Sequence, residues 1–565
     1  MKKGKLFSIA GITFASAIVL AACGGGTSST KDDSASKSTS SSESGNMAKE
    51  QVLNLIEGAE IPTMNSVMNT DATSSIVMNN VFEGLYRQDL KNDSVLGMAS
   101  EEPKVSDDKL TYTFKIREDA NWSNGDPVTA KDFVFSWRRL VDPATAAPYS
   151  YMMAGVIENA REITAGEKQP DTLGVKAIDD KTLEVKLEKA VPYFKGLLSL
   201  SMFYPQNEKY VTEQGDKFAS NSDTIIYNGP FKLTSWDGTG LSWKYEKNDT
   251  YWDKKSVKLD KINVDVVKEV STALNLYDNG QIDRIGLSGE YVQTRQDDPD
   301  IKKLPTSYSF YFKFNQKRDG KDTPLTNENI RKAIAMAYDK QAYADTVLQN
   351  GSIPSGGLVP EGLAKDPKND KDFREENGDL LKFDAKKAQD YWKKGLKELG
   401  VDKLDLELLS DDTENAKRSS EFMQGQLEEN LPGLSLKLKN VPFKVRINDN
   451  DKQNYDIQLS GWGADYADPI NFLELFGTTN GNNKSGYSNE KYDDLLKQIS
   501  TTSLADPEKR WGQMRDAEKL LMDTAGIAPI YQRYLTVLQK PYVKDIGAHL
   551  VGADYSYKWA YVTEK

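Results

Sequence analysis

Between residues 384 and 438 the apolar spacing switches period repeatedly. Residues 384–399 carry a helical stripe closed by Gly400. Leu404, Leu406 and Leu408 alternate as in a strand, residues 413–429 return to the helical period, and Leu434, Leu436 and Leu438 alternate again. Strand, helix, strand is a βαβ unit, which a chain satisfies with a parallel strand pair and a covering helix. Mixed α/β architecture follows, and the same grammar recurs upstream. Leu110, Tyr112, Phe114 and Ile116 read as a half-buried strand, as do 183–187, 241–245 and 262–266. Val77, Val81 and Leu85 mark a helix, and so do Phe133, Trp137 and Val141 behind a capping box of Thr129 and Asp132. Ile330, Ala333, Ile334 and Ala337 mark another, with Thr326 as its expected cap. No repeat at solenoid periods is visible. A body of over 500 residues exceeds one core, since cores stop growing near ~250–300 residues, so two or three lobes are expected.

The chain begins with Lys2, Lys3 and Lys5, an apolar run over 6–20, then Ala21, Ala22 and Cys23. The run is shorter than the ~20 residues a spanning helix needs. A charged start, a short apolar stretch and a small-residue site ending in cysteine form a secretory signal, and this one resembles a bacterial lipobox. The resemblance implies cleavage before Cys23 and attachment of lipid, palmitate included, at Cys23. Cys23 is the only cysteine in the chain, so no disulfide is expected within the mature protein. Residues 24–46 are almost all small, polar or charged. They bury too little apolar surface to offset ordering entropy and read as a disordered tether.

Charge and residue usage exclude much. The net charge is −12, and loss of the leader's three lysines takes it to about −15. An acidic body does not suit nucleic acid, which asks for basic patches. His549 is the one histidine, so no His/Cys cluster for zinc or haem is expected, and no cofactor or metal. A Ser-His-Asp site would have to use His549, which reads instead as a surface or loop residue. No phosphate-cradling Gly loop is present. Paired carboxylates stay open, because 85 Asp and Glu residues offer many pairs.

Several segments, in order, resemble the OppA-like oligopeptide-binding family of extracytoplasmic solute-binding proteins (family 5). They are VFEGL at 81–85, ANWSNGDPVTAKDF at 120–133, LVDP at 140–143 with APY at 147–149, VPYF at 191–194, NGPFKL at 228–233, NDTYWD at 248–253, NIRKAI at 329–334 and GWGADYADP at 461–469. The resemblance implies an α/β, periplasmic-binding-protein-like (venus-flytrap) fold of two lobes, with an extra domain inserted in the first. After a signal peptide (1–22) and tether (23–47), the first lobe is expected from 48–82, 208–305 and 531–565. The inserted domain is expected at 83–207 and the second lobe at 306–530. Crossings near Leu304-Pro305 and Pro529-Ile530 are the expected hinges.

A site that accepts many peptides binds what peptides share: an extended backbone and an α-amine. Strand pairing supplies the first. The second needs a fixed carboxylate once water is excluded. Asp465 is the candidate. It lies in a Gly-rich turn after the strand pattern Tyr455-Ile457-Leu459, where Gly461 and Gly463 permit close backbone approach and Trp462 offers an apolar wall. The resemblance implies that Asp465 meets the α-amine, that residues just before it pair with the peptide backbone, and that Tyr149 lies near the amino end. On 308–314 the even-numbered aromatics form one face and Ser309, Tyr311 and Lys313 the other; Ser309 and Tyr311 are further candidate contacts. Leu459 stands where enteric relatives carry an arginine for the peptide's carboxyl end, so longer peptides whose far ends leave the cleft are expected.

These readings make the chain a monomeric, lipid-anchored receptor on the extracytoplasmic face of a Gram-positive-type membrane. It would take oligopeptides and pass them to the permease of an ABC importer, and it would not be an enzyme. A receptor for pheromone-like signalling peptides is the alternative on the same scaffold. An extracellular carboxylate-dependent hydrolase and an adhesin are alternatives of other classes.

Overall fold

Period-two stretches become strands and period-3.6 stretches become helices, at bounds close to those expected. The computed structural model describes residues 46–191, 193–504 and 506–565. The leader, Cys23 and the tether up to residue 45 lie outside the described residues, as does Pro192 of the VPYF segment. In chain order the strands used below are β1 (Val52–Glu57), β2 (Lys104–Val105), β3 (Thr111–Lys115), β4 (Val175–Asp179), β5 (Thr182–Lys186), β6 (Phe231–Thr234) and β7 (Ser242–Lys247). They continue with β8 (Lys261–Val266), β9 (Arg284–Leu287), β10 (Ile301–Phe314), β11 (Leu404–Asp411), β12 (Leu434–Val441), β13 (Ile457–Trp462) and β14 (Ile527–Gln539). The helices used below are α1 (Ala72–Val81), α2 (Ala130–Val141), α3 (Glu328–Met336), α4 (Ala385–Leu399), α5 (Glu414–Asn430) and α6 (Phe443–Asp451).

Ten of these strands form one mixed sheet in the order β12-β11-β13-β10-β14-β9-β1-β8-β7-β6. The βαβ unit is present: β11 and β12 pair in parallel, Leu404 opposite Leu434, with α5 between them in sequence. At the centre, the long strands β10 and β14 run antiparallel. Their ladder shifts register between Pro305 and Ser309 and again between Phe310 and Tyr311, where Tyr311 meets Pro529. Such a bulge bends a strand and re-aims its side chains. A second, four-stranded sheet, β2-β3-β5-β4, lies within residues 104–186. Beside it α2 starts from the expected capping box of Thr129 and Asp132. Trp137 of α2 is fully buried, meets Phe203 edge-on at 5.6 Å and donates its indole N–H to the Phe203 carbonyl.

Three expectations shift. Helix α3 is capped by Asn327, whose side chain accepts from Asn329 N and Ile330 N, while Thr326 ends a preceding 3-10 turn. Helix α1 stops at Val81, before Leu85. There the chain is diverted: Gly229 N donates to the Val81 carbonyl, and the Asn228 amide pairs with both Glu83 N and Glu83 O. His549 lies in a loop, one of the two places expected for it, but is buried there, and its two ring nitrogens meet the carbonyls of Ala553 and Asp89, tying two loops together.

Several of the segments that carry the resemblance meet one another. Glu83 of VFEGL accepts from Arg87, from the Tyr251 hydroxyl and from the Trp252 indole of NDTYWD, all within 2.6–2.7 Å. Arg331 of NIRKAI is buried and spends its guanidinium on four backbone carbonyls, those of Leu325, Thr326, Thr524 and Ala525. A buried ionised group is tolerated where partners surround it. These segments are therefore framework. No helix among the described residues is long and apolar enough to cross a membrane.

Candidate functional site

Strand β13 pairs with β10 residue by residue, Ser309 opposite Trp462 and Lys313 opposite Gln458. Side chains alternate across a strand, so Tyr311 and Lys313 share a face with Gln458, Ser460 and Trp462. That face borders a cavity of about 360 Å³. Its other walls are the start of α1, helix α6, Tyr149, and Arg533 of β14.

Asp465 sits at the cavity wall, half-buried, three residues past the end of β13. Its position is set by a side-chain clamp. Asn471, fully buried, accepts from Asp465 N at 2.8 Å through Oδ1 and donates to Asp465 Oδ2 at 3.2 Å through Nδ2. The Tyr149 hydroxyl, 316 residues upstream, lies 3.4 Å from Oδ1. Tyr149 is itself buried, 5.9 Å from Trp462 and stacked at 5.8 Å on Tyr151. Further along the same turn Arg510 holds Asp468 with two hydrogen bonds, and Tyr466 stacks at 4.8 Å on Tyr193 of VPYF. Burial pushes the Asp465 carboxyl up to about 7, against the opposing pull of the Asn471 and Tyr149 hydrogen bonds. No cation among the described residues offsets its charge. A carboxylate held by donors, walled by aromatics and without a counter-charge among the described residues has the chemistry to accept from a positively charged donor group.

The expected contacts divide. Asp465, Gly461, Trp462, Gly463, Tyr149 and Tyr311 all border the one cavity. Ser309 is fully buried and does not line it; it lies at the register shift of β10, enclosed between Trp462 and Gln532. The glycines differ from expectation in their cause. A Cβ on Gly461 would lie 2.6 Å from the Phe310 ring, and one on Gly463 2.5 Å from Tyr308. Those glycines make room for the neighbouring strand's aromatics. Phe310 borders the cavity as well, although alternation alone would turn it away, because β14 bulges opposite it.

Sequence reading missed Asn471 and the far end of the cavity. There Gln458 and Lys313 face each other, with Arg446, Asn450 and Asp451 of α6 alongside. Leu459, in the place expected to leave that end without a cation, packs into the core instead. The period-two pattern already held Lys313 and Gln458; only the pairing of β10 with β13 puts them together.

Comparison with known proteins agrees with this geometry. Residues 94–484 match the family described as bacterial extracellular solute-binding proteins, family 5. A dipeptide-binding protein of Lactococcus lactis is 35% identical over the full length of both chains. Among solved structures, Listeria monocytogenes OppA bound to peptide is 52% identical, with a TM-score of 0.89 over 92% of this chain and all of that one. The pheromone receptor PrgZ, whose structure describes its mode of peptide binding, is 41% identical, with a TM-score of 0.87 over 91% of this chain and all of that one. The shared fold is the mixed α/β, periplasmic-binding-protein-like one, and the relatives are binding proteins rather than enzymes. The chain belongs to the family 5 bacterial extracellular solute-binding proteins.

Proposed function

We propose that this protein captures extended peptides in the cavity, with the peptide's α-ammonium on Asp465 and its first residues laid along 461–463. One observation carries the reading: Asp465 is a clamped, half-buried carboxylate at the cavity wall with no cation paired to it among the described residues. The aromatic wall of Tyr149, Trp462 and Tyr308 bears on apolar parts of a guest without reading its sequence. Peptide-bound OppA of Listeria and the receptor PrgZ, both alike in fold and sequence, support the ligand class.

In this reading two lobes close over the guest: one from 48–82, 208–305 and 531–565, the other from 306–530, with 83–207 inserted and contributing Tyr149. The crossings near Leu304-Pro305 and Pro529-Ile530 act as hinges, which agrees with the irregular register of β10 and β14 there. Cys23 carries the lipid that holds the receptor at the extracytoplasmic membrane surface, and the loaded protein delivers its peptide to an ABC permease. The likeness to a pheromone receptor supports a second reading, a receptor for one signalling peptide; mass spectrometry of released ligands separates the two, by one sequence or many.

The test is titration of free-amine and N-acetylated forms of one peptide into wild type and Asp465→Asn. A charge-assisted bond is worth about 1.5–3 kcal/mol, on the order of tenfold to a hundredfold in affinity. The variant is expected to lose that much for the free amine and little for the acetylated form. Equal losses would remove Asp465 from the amine role.

A further inference from the structure

At the other end of the cavity a buried amide and a buried amine face each other across two strands. Gln458 is fully buried, borders the cavity, and has no hydrogen-bond partner for either Nε2 or Oε1 among the described residues. A buried amide left unpaired costs free energy, and few such groups are tolerated without a reason. Directly across the ladder, Lys313 is buried and borders the same cavity. Its ammonium donates to Asn450 Oδ1 at 2.9 Å, and no carboxylate pairs with it among the described residues. Arg446 beside it is already committed, donating to Asp411 Oδ1 at 2.6 Å.

We infer that Lys313 and Gln458 form a subsite for a carboxylate of the bound peptide, set at a fixed distance from Asp465. A carboxylate oxygen there accepts from the lysine ammonium and from the Gln458 amide N–H, supplying both with the partners they lack. Burial pushes the Lys313 amine down to about 7, with Arg446 and Lys484 acting in the same direction and Asp451 against it. A guest carboxylate reverses that shift by favouring the charged amine. The cavity is therefore dipolar: acid at the Trp462 end of β13, base at the Gln458 end. Gln458 and Trp462 are four residues apart, about 13 Å along a strand, and Asp465 lies beyond. An extended guest rising ~3.3 Å per residue spans that interval with about four or five residues. This replaces the expectation of an open far end, and it rests on the peptide reading above.

Two sources supply the group: the peptide's own carboxyl terminus, or an acidic side chain of a longer peptide. Calorimetric titration with alanine peptides of three to six residues, each as free acid and as C-terminal amide, reads the first. A hexa-alanine amide carrying a single glutamate at successive positions reads the second. Wild type is expected to prefer the acid to the amide by about tenfold or more at one length, or to prefer the glutamate peptide at one position. Lys313→Met should erase that preference and Lys313→Arg retain it. The wild-type comparison stands alone if Lys313→Met fails to fold. If free-amine peptides bind and neither a free carboxyl terminus nor a glutamate at any position improves affinity, the inference is overturned while the peptide reading survives. If no peptide binds, both fall.

Discussion

Asp465 gains its role from what surrounds it. Alone it is an acid in a Gly-rich turn; the Asn471 clamp and the aromatic wall make it a held, poorly solvated carboxylate. Its raised pKa has a measurable sign. The folded, unliganded protein holds a proton that the unfolded chain releases near pH 4, so this group's contribution to stability falls as pH rises from about 4 to about 7 and is constant above. The stability difference between wild type and Asp465→Asn, taken across that window, reads this group together with its coupling to Glu474, which burial and the Asp465 charge push up to about 8. The variant should gain stability relative to wild type as pH rises. Affinity for a free-amine peptide amidated at its carboxyl end, which makes no demand on the Lys313 charge, should climb about tenfold per pH unit up to 7 and then level until the α-amine deprotonates near ~8. Calorimetry between pH 5 and 8 checks this, and a flat profile contradicts it.

Among elements, the pair β10 and β13 decides the site. Gly461 and Gly463 yield their side-chain space to Phe310 and Tyr308. Gly461→Ala should force that ring aside and cost about 1–3 kcal/mol, as overpacking does, seen as a lower melting temperature together with weaker peptide binding. Unchanged stability would mean the strand relaxes freely. This pair also shows where the sequence was legible. Helix α4 is capped by Asp384 and Gly400 and α5 by Thr413, as expected, because caps and periods are local and write themselves into neighbouring residues. The βαβ unit follows from the same local grammar. What strand pairing decides was not legible. Ser309 looked like a cleft residue, but the register shift enclosed it. Lys313 and Gln458 were visible as alternating polar residues, yet their meeting depends on a ladder joining positions 145 residues apart in the chain. Asn471 carried no signal beyond its place six residues after Asp465.

At the scale of the whole molecule, segments far apart in sequence converge in two ways. VFEGL, NGPFKL and NDTYWD converge on the buried Glu83 and fix the framework. APY, VPYF and GWGADYADP converge near Asp465, through Tyr149 and through the stacking of Tyr193 on Tyr466. The resemblance pointed to all of them without telling framework from site; the hydrogen bonds do. Both convergences matter only if a peptide lies inside this cavity with its amino end on Asp465. A crystal structure of the protein with bound peptide tests it most directly. The α-nitrogen is expected within hydrogen-bond distance of an Asp465 oxygen, about 2.7–2.9 Å, with the chain running along β13 toward Gln458. A peptide bound elsewhere, or one in the cavity with Asp465 turned away from its amine, would contradict it.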